Sequence, residues 1–277
     1  TVATGLTYLA MVRDGYTWSD HFENLGGGNP AASKMPDFVF ASPIHGTALV
    51  ESKGTRKRSC PSAPAFNPVL DTAYRDQVES HLGYTVGNAT ATHGYCIGAW
   101  MTSPTKAEML VHHTEVPATG VGVGRGGDDS GSLTILQRHN YATAFHLALG
   151  QALGKQLRDG RIENVMPLFR FRWLDRSWLT GSPDLSPRFG DQASQLRFAI
   201  EESVATAVVQ HFFQQQQPAR VRGLDPLSSE LSLRARNHAP QRGAVFPDGL
   251  ALIDLGKPTS DMQRVTWSDG QFVAGNT

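Results

Sequence analysis

The sequence predicts an α/β fold of the α+β kind, a mixed β-sheet flanked by helices, and three patterns in its first half support this. Two short apolar runs, residues 37–41 and 47–53, have the length and composition of strands. Apolar residues then recur at helical spacing through residues 67–82 and stop at a glycine. Two further strand-like runs follow at residues 94–101 and 108–116, which gives the element order of a sheet with helices packed on it.

The elements outside this core are predicted from the same periodicities. Residues 6–12 and 18–25 are predicted as short helices ahead of the first strand. The second half alternates long helical patterns with strand-like runs, which favours an appended α+β region. In that half we predict helices at residues 141–157 and 192–217 and strands at residues 165–179, 244–255 and 264–273.

A segment rich in glycine and aspartate, residues 120–132, lies between the two halves and has the composition of a loop or linker. We therefore predict two domains, residues 1–132 and residues 133–277. A chain of 277 residues is long enough to give each of them a hydrophobic core. The second domain is expected to grip a substrate, to form a homodimer or to dock a partner protein.

Composition excludes several classes of protein. No apolar run approaches the 18 or so residues of a transmembrane helix, so no membrane association is expected. The net charge is zero and the pI is about 7.1, which argues against indiscriminate coating of nucleic acid but is compatible with a local binding site. No signal peptide is visible, so we expect a cytoplasmic protein, with delivery as a secreted effector left open. Cys60 and Cys96 are expected to be unpaired thiols.

Acidic side chains occur where the first two predicted strands would meet. Asp37 begins one strand, and Glu51 and Lys53 end the next. Alternate residues of a strand share a face, so Glu51 and Lys53 point the same way and Ser52 points to the other side. Two converging carboxylates suit a hard cation such as Mg²⁺, and a lysine beside them can position water and offset charge on a phosphate. The alternative is an edge strand that ends in solvated charges after an ordinary Pro36-Asp37 turn.

At Pro36-Asp37 and Glu51-x-Lys53 the chain resembles the PD-(D/E)xK phosphodiesterase superfamily, the restriction-endonuclease-like nucleases. The resemblance covers only the first half of the chain. It implies a restriction-endonuclease-like core in which Asp37 and Glu51 bind Mg²⁺, with Mn²⁺ as a possible substitute, and Lys53 assists catalysis. We expect the backbone carbonyl of Ser52 to be a third metal ligand and Lys53 to position the nucleophilic water.

Several further residues are candidates for supporting roles. Many nucleases of this kind use an acidic residue before the aspartate and a glutamine after the lysine, and Glu23 and Gln77 are the candidates here. Both are equally compatible with a solvated helix face. Arg56, Lys57 and Arg58 come directly after the predicted site, where they would contact phosphate or form a solvated loop.

The sequence therefore predicts a Mg²⁺-dependent endonuclease that hydrolyses phosphodiester bonds, with DNA as the favoured nucleic acid and a role in restriction, phage defence or toxicity. The alternative is a catalytically silent nuclease-fold protein that binds nucleic acid or acts as an interaction module. In the second half, residues 169–173 alternate aromatic and arginine side chains. They predict either an amphipathic strand with a buried aromatic face, which we favour, or a surface that stacks bases and binds phosphate.

Overall fold

In a computed structural model of the chain, the described residues form two compact units. The described ranges are 2–55, 63–103, 105–115, 135–181, 196–213, 243–254 and 262–275. The first unit contains residues 2–115 and 135–136 of these ranges, and the second contains the described residues from Gln137 on. The predicted boundary after residue 132 lies outside the described residues, as do Arg56, Lys57, Arg58 and Cys60.

The first unit is a mixed sheet with helices, as predicted. All its strand pairs are antiparallel except β3 with β5, and the order is β1-β2-β3-β5-β4, with β6 also paired to β5. A π-helical turn (Tyr74–Val78) and a 3-10 helix (Glu79–His81) extend the second helix. The helices and strands are α1 (Val2–Arg13), β1 (Trp18–His21), β2 (Phe38–Ser42), β3 (Gly46–Gly54), α2 (Ala63–Ala73), β4 (Thr85–Val86), β5 (Ala89–Ser103) and β6 (Lys106–Glu115).

Close packing over β5 brings the α2 segment near the middle of the sheet. A Cβ atom built on Gly98 would lie 2.3 Å from Cε1 of Phe66, which is on α2. A Cβ on Gly94 would lie 2.8 Å from Cγ1 of Val78, at the end of the π-helical turn. Both distances are shorter than any ordinary carbon contact, so glycine is required at these two positions of β5. The π-helical turn consequently lies directly against the strands that carry the predicted site.

Two predictions for the first unit differ from the structure. Residues 18–25 were predicted as a helix, which is wrong, because Trp18–His21 is strand β1 and only Phe22–Asn24 forms a turn of 3-10 helix. The four residues of β1 are too few to show a period, and pairing with β2, for example Trp18 opposite Ala41, fixes them as a strand. The predicted helix at residues 67–82 is present, but it starts earlier, at Ala63, and changes to π and 3-10 geometry.

The second unit contains a seven-stranded antiparallel sheet and helices. The strand order is β10-β11-β9-β8-β7-β12-β13. No helix in the described part of either unit is long and apolar enough to cross a membrane. The elements, of which α3 has its first two residues in the first unit, are α3 (Ile135–Leu149), α4 (Gln151–Arg158), β7 (Leu168–Trp173), β8 (Arg176–Thr180), β9 (Leu196–Glu201), α5 (Glu202–Phe213), β10 (Gly243–Val245), β11 (Leu250–Asp254), β12 (Gln263–Ser268) and β13 (Gln271–Ala274).

The single helix predicted at residues 192–217 is wrong in its first part, because Leu196–Glu201 is a strand paired with β8 and β11. An apolar run of this length fits either period, and the pairing partners decide which one forms. Residues 192–195 and 214–217 lie outside the described residues. In β7 the aromatic side chains of Phe171 and Trp173 are buried, while Arg170 forms an ion pair with Glu202, so the strand is amphipathic.

Candidate metal-binding and catalytic site

The hairpin of β2 and β3 brings the two predicted carboxylates together. In its register Phe38 lies opposite Val50, so Asp37 lies opposite Glu51. The backbone N–H of Asp37 donates to Oε2 of Glu51 at 3.0 Å. In return, the N–H of Ser52 donates to Oδ2 of Asp37 at 3.0 Å. Each carboxylate is therefore held by the backbone of the opposite segment, and the two acids are fixed side by side.

Lys53 shares the face of Glu51, as strand alternation predicts, and forms an ion pair with Oε1 of Glu51. The Glu51 side chain is only 1% exposed, whereas the Lys53 side chain is 31% exposed. The pair therefore runs from a buried carboxylate to an ammonium group that solvent or a substrate can reach. Such a lysine can contact a phosphate without leaving its carboxylate partner.

Electrostatics at Glu51 favour the arrival of a cation. Burial raises the pKa of the Glu51 carboxyl above its usual range, and the negative charge of Asp37 raises it further. The hydrogen bond from Lys53 opposes this shift without cancelling it. The net upward shift means that the ionised carboxylate is held at a cost in free energy. A divalent cation between Asp37 and Glu51 would remove that cost, and oxygen ligands are the kind that Mg²⁺ prefers.

Gln77 lies on this cluster, and Glu23 does not. With the Gln77 amide oriented to match its neighbours, its nitrogen donates to Oε1 of Glu51 at 3.2 Å and its oxygen accepts from Nζ of Lys53 at 3.1 Å. The residue is in the π-helical turn, a distortion that is frequent at functional sites. Glu23 is exposed on the 3-10 helix after β1, and no hydrogen bond or ion pair joins it to the cluster among the described residues.

Ser52 has the orientation that a backbone ligand requires. Its side chain points to the other face of the sheet, where its hydroxyl is 2.9 Å from that of Thr7. Its N–H points toward Asp37, and the carbonyl of a strand residue lies on the same side as its N–H. No cluster of three or more histidine, cysteine, aspartate or glutamate side chains with the geometry of a metal site occurs among the described residues. Two carboxylates and one carbonyl fit Mg²⁺, which keeps several waters in its shell.

Cys96 is a neighbour of the site that sequence reasoning did not connect with it. It lies opposite Glu51 in the parallel pairing of β3 with β5, and it is a buried free thiol. Burial, with the charge of Glu51 as the next cause, raises the pKa of the thiol to about 12. Cys96 is therefore neutral and adds no further anion beside Glu51. No local motif marks it, because only the strand pairing places it there.

Comparison of the chain with family models, with curated proteins and with solved structures finds no match. The functional interpretation therefore depends on the geometry of the cluster itself.

Proposed function

We propose that this chain is a Mg²⁺-dependent nuclease of the PD-(D/E)xK type, which hydrolyses phosphodiester bonds with DNA as its main substrate. One observation carries the proposal: Asp37, Glu51, Lys53 and Gln77 form a single hydrogen-bonded network at the start of β2 and the end of β3. A solvated edge strand would place Glu51 in water, but its carboxylate is buried. Burying an acid beside a second acid is costly, and cation binding is the physical reason that fits this cost.

The residues divide the chemistry among them. The carboxylates of Asp37 and Glu51 and the carbonyl of Ser52 would hold Mg²⁺. The bound metal would stabilise charge on the phosphate and lower the pKa of a coordinated water. The Lys53 ammonium has three N–H donors, of which Glu51 and Gln77 take two. The third is free to direct the attacking water or to contact the phosphate, and Gln77 fixes the lysine for this purpose.

The direct test is digestion of circular DNA, linear DNA and RNA by the purified chain. We expect cleavage with Mg²⁺ or Mn²⁺, weak cleavage with Zn²⁺, whose preferred ligands are nitrogen and sulfur, and none with excess chelator. An Asp37→Ala variant purified in the same way controls for contaminating nucleases. Full activity in excess chelator, or equal activity of the variant, would contradict the proposal.

The second candidate function is a silent module that binds nucleic acid or a partner protein. It is favoured by one observation, that both carboxylates already have partners within the protein, Asp37 through Ser52 and Glu51 through Lys53. A silent module would bind DNA equally well with and without Mg²⁺ and would show no heat of Mg²⁺ binding in titration calorimetry. A nuclease would bind Mg²⁺, and Glu51→Gln would abolish that heat.

A further inference from the structure

A buried histidine fastens the loop that leads into Asp37. His81 is 1% exposed and lies in the 3-10 helix after the π-helical turn. The backbone N–H of Asn29 donates to its Nδ1 at 3.0 Å. Its Nε2 lies 2.8 Å from the carbonyl oxygen of Lys34, to which it donates. One imidazole therefore bonds two points of the loop that are five residues apart in the sequence.

The surroundings of the ring show that the fit is close. The side chain of Asn29 donates to the carbonyl of Ser80 at 2.9 Å, which adds a second bond beside the histidine. Phe22 packs against the imidazole with ring centroids 5.1 Å apart. Gly28 has φ +83°, and a Cβ there would lie 2.7 Å from Nδ1 of His81. The loop can therefore approach the ring this closely only with glycine at that position.

His81 joins the loop before Asp37 to the helical segment after Gln77, and both of these lead to the cluster of Asp37 and Glu51. Lys34 is three residues before Asp37 along the loop, and His81 is four residues after Gln77 in the same helical segment. Asp37, at the end of the loop, and Gln77, in the helical segment, both bond to Glu51. An exposed ion pair of Lys34 with Asp76, at 2.8 Å, lies nearby, but exposed pairs contribute little.

We infer that His81 is a positioning residue of the proposed nuclease site: it fixes Asp37 and Gln77 relative to each other around Glu51. The inference depends on the proposed function for its effect on rate, but not for its effect on structure. The bonds define the form of the ring, because Nδ1 must have a free lone pair to accept from Asn29 and Nε2 must carry the hydrogen donated to Lys34. Only the neutral imidazole protonated at Nε2 satisfies both.

Two variants of His81 test the inference through cleavage rates. His81→Phe keeps an aromatic ring against Phe22 but removes both hydrogen bonds. We expect kcat to fall by about 10- to 100-fold with KM nearly unchanged, because small displacements of reacting groups have effects of this size. His81→Asn keeps an acceptor near Nδ1 and should retain an intermediate kcat; it also serves if the Phe variant does not fold.

His112→Phe is the matched control. His112 bonds Oδ1 of Asn67 at 2.8 Å and pairs with Asp71 at 3.0 Å, on α2 itself rather than at the segment that carries Gln77. The His112→Phe variant therefore loses a comparable number of side-chain bonds, and none of them involves the loop before Asp37. We expect its kcat to stay within about two-fold of the wild-type value, as for other surface changes. Equal losses of kcat in the His81 and His112 variants would overturn the inference, because they would indicate a general structural effect.

Hydrogen exchange at Ser52 gives a readout that does not depend on activity. The Ser52 amide donates to Oδ2 of Asp37, so its protection reports where the Asp37 side chain lies. In His81→Phe we expect this amide to exchange about ten-fold faster or more, with the amide of Val50 in the same strand unchanged. Unchanged exchange at Ser52 would overturn the inference, and so would faster exchange with unchanged kcat. If the wild-type chain cleaves no nucleic acid, the proposed function fails, while the Ser52 measurement still decides whether His81 positions Asp37.

Discussion

Glu51 in the first unit and Glu201 in the second are both buried glutamates in the last part of a strand, 1% and 6% exposed. Their partners differ. Glu201 precedes α5, and its Oε2 accepts from the N–H of Val204 at 3.0 Å and from the hydroxyl of Ser203, which is the arrangement of a helix N-cap. Glu51 instead bonds the backbone N–H of Asp37 and the side-chain amide of Gln77, which lie on two other segments of the chain, and the ammonium of Lys53, two residues along its own strand.

The difference shows that burial of an acid does not by itself indicate a functional site. The charge of Glu201 is offset locally by the positive end of α5 and by Arg176, 3.5 Å away. Burial raises the pKa of Glu51 despite the bond from Lys53, and the charge of a second acid, Asp37, raises it further. Negative charge that the protein itself does not fully offset is what separates the cluster in the first unit from a cap, and it is this excess that a metal ion would neutralise.

The largest expected effect comes from replacing Glu51 by glutamine, which removes the charge and keeps an acceptor oxygen. Glu51→Gln should lower cleavage by more than about 100-fold and weaken Mg²⁺ binding, since a metal ligand and its charge are lost. Glu201→Gln is the matched control and should cleave within a few-fold of wild type. Digestion rates per folded molecule measure both. Near-wild-type digestion by Glu51→Gln would contradict the proposed nuclease function. An equal loss of cleavage in Glu201→Gln would show that both substitutions act through folding.

The second-largest expected effect concerns Lys53, the more exposed partner in the ion pair with Glu51. Lys53→Met should lower kcat by about 100-fold while Mg²⁺ binding persists, because the carboxylates remain but the water or phosphate is no longer directed. Lys106→Met is the control. Lys106 pairs with Glu108 at 3.6 Å, also two residues apart on a strand, but both side chains are exposed. Titration calorimetry measures Mg²⁺ binding, and single-turnover cleavage measures the chemical step. Loss of Mg²⁺ binding in Lys53→Met would show that the lysine has a structural role instead.

The sequence predicted the parts of the site that depend on local patterns. Strand β2, which follows Asp37, and strand β3 have clear apolar runs, and alternation within β3 places Glu51 and Lys53 on one face. It could name Gln77 only as a candidate, because a glutamine on a helix is ordinary until packing shows what it faces. Here Gly94 allows the π-helical turn to pack closely on the sheet, and this packing determines which side chains Gln77 faces.

What the sequence could not show depends on contacts between distant residues. His81 and Asn29 are 52 residues apart, and no periodicity relates a histidine in a short 3-10 helix to a loop amide. Cys96 lies beside Glu51 only through the parallel pairing of β3 with β5. Helix and strand patterns also overlap in short apolar runs, which is why Leu196–Glu201 was predicted as a helix and is a strand. In each case a partner distant in sequence decides the outcome.

The smallest expected effect is on stability, and it has opposite signs at the two glutamates. Because the folded-state pKa of Glu51 is raised, the folded protein binds this proton more tightly than the unfolded chain does. In metal-free protein, stability should therefore increase as pH falls from neutral through the raised pKa of Glu51, and Glu51→Gln should remove this dependence and be more stable than wild type near pH 7.

Glu201→Gln should instead be less stable than wild type at neutral pH, by about 0.5–1 kcal/mol, because a carboxylate at a helix N-terminus is replaced by a neutral amide. Urea unfolding of the wild type and both variants, in chelator at pH 5 and pH 7, measures these differences. If Glu51→Gln were as destabilised at neutral pH as Glu201→Gln, Glu51 would be a structural anchor like Glu201. If it is stabilised while cleavage is lost, the fold holds the Glu51 carboxylate at a cost that only its function explains.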